Sequence, residues 1–167
     1  MSVRAAQTLP EAPSQSWIVR RAVAEDVGGI VVAVQELLLE LGGTPPSAQT
    51  LEVVARELVE DRDSGAVLVA RSKGEVVGML AASWQLAMHV PGRYGLIQDL
   101  WVHSAWRSRS IGADLMTGLV ELARERGLSR IEVGLPRESF RGLEATAAFY
   151  AGNGFAPLGP RMRRLLT

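Results

Sequence analysis

The segment Arg107-Ser108-Arg109-Ser110-Ile111-Gly112 gathers two arginines, two serines and a glycine between an apolar run and a periodic one. Before it, Leu96 to Val102 reads as a strand. After it, Leu115, Leu119 and Leu122 recur at helical spacing from a start near Gly112. A helix start presents main-chain N–H groups that have no intrahelical acceptor, and the aligned peptide dipoles add partial positive charge there. Small residues let a ligand approach those groups, and the arginines supply full charges. The chemistry this pattern serves is the cradling of a phosphate-bearing ligand. A solvated turn has the same composition, so the elements around the loop decide between the two.

Those elements describe a mixed architecture. Trp17 to Arg21 reads as a strand, and Glu25 to Leu41 as a helix through Ile30, Val34, Leu37, Leu38 and Leu41. Gly42-Gly43 stops that helix, and Ser47 or Thr50 caps a second one ending near Asp61. Ala66 to Arg71 and Glu75 to Gln85 form a hairpin about Ser72-Lys73-Gly74. Tyr94 to His103 is the next strand, and the helix after the arginine loop runs to Arg126 with Gly127 as its cap. Ser129 to Leu135 reads as a strand and Leu143 to Gly152 as a short helix. From Phe155 onward the chain reads as extended, with a strand over Met162 to Leu166. The order β-α-α-β-β-β-α-β-α-β predicts an α/β (α+β) fold, a mixed, mostly antiparallel twisted sheet flanked by helices with one strand–helix–strand crossover. Residues 1–16 are expected to be a flexible tail and residues 17–167 a single domain.

Composition removes several classes of function. With 47% hydrophobic and 22% charged residues the chain is globular rather than disordered. A net charge of zero offers no argument for nucleic acid. Cysteine is absent, which excludes disulfides, thiolate metal sites and a cysteine nucleophile, and no metal is expected. The apolar run Gly28 to Leu41 is too short to span a bilayer and carries Glu36 and Glu40. No charged-then-apolar leader pattern opens the chain, so the expectation is a cytoplasmic protein with neither membrane nor nucleic-acid partners.

Taken together, three segments resemble the GNAT N-acetyltransferase family in content, order and spacing. They are Gln98-Asp99-Leu100-Trp101-Val102, the loop from Arg107 to Ala113, and Phe149-Tyr150-Ala151-Gly152-Asn153-Gly154-Phe155. The element order fits that fold from Trp17 to Leu166. The resemblance implies acetyl-CoA as cosubstrate, with its pyrophosphate on Arg107, Ser108, Arg109, Ser110, Ile111, Gly112 and Ala113. It implies that main-chain groups of Leu100, Trp101 and Val102 align the pantetheine arm and stabilise an oxyanion. Tyr150 matches the family tyrosine that protonates the leaving thiolate, a task suited to a phenol with a pKa of about 10. The implied reaction is direct attack, in a ternary complex, by a primary amine of a small molecule or peptide. Homodimers are common in the family, and the Met162 to Leu166 strand would be available for one.

The sequence also departs from the family pattern. Ser110 replaces a loop glycine, and a left-handed serine costs about 1–2 kcal/mol. Gln98 stands where a glutamate often serves as base, and an amide cannot take the amine's proton. Asp99 is adjacent but points to the opposite face unless a bulge turns it. Glu132, His103, His89 and a water relay are the other routes for that proton. Leu143 and Thr146 stand where Asn and Ala precede Phe-Tyr in many members. Trp84, Trp101 and Tyr94 wall either a pocket or the core, and Glu36, Glu40 and Glu57 are the acidic groups available to an acceptor. These departures define the alternative reading, a catalytically weak acyl-CoA-binding sensor or interaction module on the same fold.

Overall fold

The run Gly65-Ala66-Val67-Leu68-Val69-Ala70 has no polar side chain to turn outward, and it forms a strand buried on both faces (β2, Gly65–Ser72). The computed structural model describes residues 16–166. In it, β1 (Ile18–Arg21) and β3 (Glu75–Ala87) flank β2, and β4 (Gly92–Val102) and β5 (Ile131–Val133) complete a five-stranded sheet in the order β1-β2-β3-β4-β5. Every pairing is antiparallel except β4–β5, which is parallel and connected through α3 (Ile111–Glu125). Lys73 and Gly74, at φ 49° and 85°, make the tight turn from β2 to β3, where both central residues of the favoured hairpin turn need positive φ.

Alternation along the strands sends side chains to two cores. On one face α1 (Val27–Glu40) and α2 (Ala48–Glu60) set Ile30, Val31 and Val59 against Val67, Val69, Met79 and Trp101. On the other, α3 and α4 (Leu143–Gly152) set Ile111, Leu115, Leu119 and Tyr150 against Leu68, Leu80 and Ile97. Ile111, Leu115 and Leu119 are at most 1% exposed, and burying such a side chain contributes roughly 1.5–3 kcal/mol. Ser47 is the cap of α2, its Oγ accepting the Thr50 N–H at 3.2 Å. Gly127, at φ 71°, ends α3 by donating to Arg124 O while the Leu128 N–H donates to Ala123 O.

One charged group lies deep in the α1 side. Asp26, 1% exposed, receives Arg20 Nη1 at 2.6 Å, Arg71 Nη1 at 2.6 Å and the Val23 N–H at 2.8 Å. Burial pushes its carboxyl up, and the hydrogen bonds from Arg20, Val23 and Arg71 outweigh that and hold it below the ordinary carboxylate value. The carboxylate thereby pins the start of α1 to β1 and β2.

Three expectations change. The first helix opens with a 3₁₀ turn over Ala24–Asp26 and becomes α-helical only at Val27. The strand expected over Ser129 to Leu135 is confined to Ile131–Val133. The final strand does not form among the described residues. Pro157 and Pro160 have no N–H to donate, and Met162, Leu165 and Leu166 are 99%, 72% and 91% exposed. The tail expected over residues 1–16 lies outside the described residues except for Ser16, whose carbonyl accepts the Ser72 hydroxyl at 2.8 Å.

Candidate active site

The parallel pair β4–β5 parts early. Pairing covers Gly95, Leu96 and Ile97 against Ile131, Glu132 and Val133, and beyond Ile97 β4 continues to Val102 without β5. On its other side β4 stays joined to β3, and His103 N–H donates to Val77 O at 2.9 Å. Antiparallel pairing alternates inward and outward main-chain groups. Trp101 therefore turns its N–H and C=O toward β3, while Leu100 and Val102 turn theirs to the gap left by β5. This revises the expectation that all three residues present main-chain groups to a ligand. The Val102 carbonyl is already taken by Arg107 Nε at 3.0 Å.

A bulge lies at the mouth of this gap. Ala81 pairs with Asp99 and Ala82 with Ile97, so Gln98 is an extra residue on β4. Ile97 belongs to the α3-side core, whereas Asp99 faces the α1 and α2 side together with Trp101. This is the reorientation that Asp99 needed. Gln98 points to that same side, its Nε2 donating to Ser83 Oγ at 2.9 Å. Asp99 is half-buried among apolar side chains, and this burial raises its carboxyl above the ordinary value.

Tyr150 comes from α4 on the opposite side. It is 7% exposed, with Phe149 and Phe155 edge-on to its ring, each at 5.3 Å. Its phenol is pushed up to about 12, first by burial and then by the negative charge of Asp99. The Asp99 carboxylate thus acts on the Tyr150 phenol, with the two side chains on opposite faces of the sheet.

The arginine loop turns through a left-handed residue on either side of Arg109. Ser108 and Ser110 are left-handed at φ 61° and 70°, and Ser110 caps α3 without a side-chain hydrogen bond. Alternating hand in successive residues turns neighbouring N–H groups into a concavity suited to an anion. The Arg109 guanidinium lies 5.3 Å from the Trp106 ring centre. Trp106 stands edge-on to Trp17, whose Nε1 donates to Asp114 Oδ2 at 2.8 Å in the first turn of α3. Gly112 leaves room for Phe149, since a Cβ there would sit 3.0 Å from the ring. Arg107 does more than line the loop: its Nη2 meets Glu40 Oε1 at 2.6 Å and ties the loop to the last residue of α1. Because Ser110 holds a conformation that favours glycine, Ser110→Gly is expected to raise unfolding stability by about 1 kcal/mol. Thermal denaturation reads the gain, and donor affinity should be equal or tighter.

The other proton-transfer candidates fall elsewhere. His103 Nδ1 accepts the Ala105 N–H at 3.2 Å and so caps the short turn Ser104–Trp106. His89 packs on Tyr94 at the β3–β4 turn, at the far end of β4 from the loop. Glu132 pairs with Leu96 and shares the α1-side face with Gln98 and Asp99. One of its oxygens, Oε1, is buried without a hydrogen bond, 3.6 Å from Arg130 Nη1. Trp84 and Trp101, 3% and 4% exposed, are core residues. Among the described residues no cluster of His, Asp or Glu could hold a metal ion, and no helix is long and apolar enough to cross a membrane. A cavity of about 100 Å³ abuts Asp99 beneath α1 and α2, and a cleft of about 390 Å³ lies at the other end of the sheet against Trp84, Arg93 and Arg126. The Arg107–Glu40 bridge is invisible in the sequence, because nothing local marks two residues so far apart as partners.

Residues 32–155 match the acetyltransferase (GNAT) family, and the chain belongs to it. It is 34% identical over 82 residues to an uncharacterized N-acetyltransferase of Archaeoglobus fulgidus, a match that covers 48% of this chain and 55% of that protein. The chain thus spans about half the length of that curated relative. Among solved structures, a possible acetyltransferase from Clostridium difficile superposes with a TM-score of 0.76 at 16% identity, covering 90% of this chain and 97% of that one. An aminoglycoside acetyltransferase from an uncultured soil metagenomic sample superposes with a TM-score of 0.73 at 23% identity, covering 91% and 99%. At these identities the two structures speak to fold.

Proposed function

We propose that this protein transfers the acetyl group of acetyl-CoA to a primary amine by direct attack within a ternary complex. The observation that carries the reading is the parting of β4 from β5 beyond Ile97, with Asp99 just past it on β4 and its charge acting on Tyr150 from the opposite face of the sheet. The loop with its left-handed Ser108 and Ser110 and the first N–H groups of α3 hold the pyrophosphate, and Arg109 adds charge. Leu100 and Val102 turn main-chain groups to the gap, where an N–H stabilises the oxyanion as the amine nitrogen attacks the thioester carbon. Asp99 accepts the proton that the amine loses. As the carbon–sulfur bond breaks, the Tyr150 hydroxyl donates to the thiolate. We take residues 17–167 as one catalytic domain working in the cytoplasm, where acetyl-CoA is supplied.

Asp99 must be ionised to accept a proton, and burial raises its pKa. Activity is therefore expected to fall on acidification through a pKa above the ordinary carboxylate value of about 3.9. Asp99→Asn is expected to lower kcat by roughly 10²-fold and to abolish that acid limb, both read by thiol release across a pH series. A limb that survives in Asp99→Asn assigns the base elsewhere, and Glu132 on the same face is the residue to test next.

The alternative, a module that binds acyl-CoA without turnover, has one observation in its favour: Ser110 stands left-handed where a glycine would be unstrained. Calorimetric titration with acetyl-CoA, coenzyme A and ATP, followed by an amine screen, separates the two. Binding of both coenzymes with turnover of an amine supports the enzyme. Binding without turnover across a broad screen supports the module.

A further inference from the structure

We propose that the acceptor is a primary amine carried on a short, branched aliphatic group. Its hydrocarbon sits in the cavity beneath α1 and α2, and its nitrogen lies at Asp99. This rests on the transfer reaction proposed above and names the substrate class of that same site.

The cavity, about 100 Å³, lies between the two helices and the sheet; its lining is apolar, including Ile30, Val34, Leu51, Ala55 and Met79, except for Asp99. It is not a sealed packing defect, because two further lining residues, Val54 and Leu58, are 50% and 43% exposed and open it toward solvent. Asp99 lines the cavity and stands on the part of β4 that runs on beyond its last pair with β5, so a molecule filling the cavity brings its polar end to that stretch of β4. The volume limits what can enter. An apolar cavity of about 150 Å³ accepts benzene, so this smaller one suits a branched chain of about three or four carbons, no bulkier than an aromatic ring. The lining limits chemistry as well. Apart from the carboxylate, no lining side chain offers a partner to a hydroxyl or to a second ammonium, so an amino sugar or a polyamine would leave polar groups unsatisfied. In this the cavity contrasts with what an aminoglycoside acceptor requires.

The test measures coenzyme A thiol release by the purified full-length protein with propyl-, isobutyl-, isopentyl-, hexyl- and benzylamine, ethanolamine, spermidine and glucosamine. Acetyl-CoA binding is followed separately by calorimetry. The expected kcat/KM rises about fourfold per methylene up to isobutylamine and falls for the bulkier isopentyl-, hexyl- and benzylamine. It is at least about tenfold lower for ethanolamine, spermidine and glucosamine, which put a polar group against the lining. Val34→Ala enlarges the cavity and is expected to move the optimum to longer chains. Ala55→Leu fills it and is expected to move the optimum back toward propylamine. Calorimetry on each variant confirms that it folds and binds the donor. If acetyl-CoA binds and amines turn over without regard to chain length, or polar amines lead, the inference fails and the acetyltransferase reading stands. It fails in the same way if Val34→Ala folds and leaves the optimum unchanged. If acetyl-CoA does not bind, both fail.

Discussion

Tyr150→Phe is expected to slow acetyl transfer by roughly 10²- to 10³-fold, the range of a positioned proton donor, while acetyl-CoA binds as before. The substitution removes one oxygen and keeps the ring that Phe149 and Phe155 hold edge-on, so packing and the α4 backbone stay in place. With its pKa pushed up to about 12, the phenol is protonated throughout the physiological range and never enters the cycle as a phenolate. That same shift makes it a reluctant acid toward a thiolate. Part of the shift comes from the negative charge of Asp99. In the proposed reaction Asp99 takes the amine's proton and loses that charge, which would make the phenol the better donor at the step that needs one. The two residues are thereby coupled: Asp99→Asn in the Tyr150→Phe background should cost less than it does alone. Thiol release under saturating donor and amine, with calorimetry for binding, checks both statements. Full turnover in Tyr150→Phe would remove the phenol from the mechanism.

The second large effect concerns the fold. Asp26→Ala is expected to cost about 3 kcal/mol, the low end for removing one partner from a buried ion pair. Arg20 and Arg71 are part-exposed and regain some solvation, which keeps the loss at that end. For a chain of this size the thermal midpoint should drop by roughly 6–12 °C. The Val23 N–H also loses its acceptor, so α1 should fray at its start. Because the folded carboxyl lies below its ordinary value, its contribution to stability is complete above the unfolded carboxylate range. It is lost as pH falls toward the folded value. Wild-type stability, followed by urea denaturation, should therefore decline on acidification, and Asp26→Ala should flatten that decline.

Much of this protein is legible in its sequence because its signals are local. Helical spacing at Leu115, Leu119 and Leu122, the glycine after Arg126, and the positive-φ pair at Lys73 and Gly74 each act within a few residues, and each produced the element expected of it. The arginine loop is legible for the same reason, since a helix start and its flanking residues are one short stretch of chain. The final strand is the counter-example. Leu165 and Leu166 are apolar, but a strand exists only where a neighbour takes its main-chain groups, and Pro157 and Pro160 break the approach to one.

The candidate site divides along the same line. The family, the loop, the helix that carries Tyr150 and the presence of a carboxylate at Asp99 can all be read from the order of residues. The direction in which Asp99 points cannot, because a bulge is a property of two strands in register, and Gln98 becomes the extra residue only against Ala81 and Ala82. Nor can the grip of Arg107 on Glu40, or the enclosure of Asp26 by Arg20 and Arg71, because those partners meet only when β1, β2, α1 and the loop have packed. One physical reason separates the two groups. The energies that set local conformation are written in neighbouring residues, whereas the burial and charge that tune Asp99 and Tyr150 arise only when distant segments exclude water together.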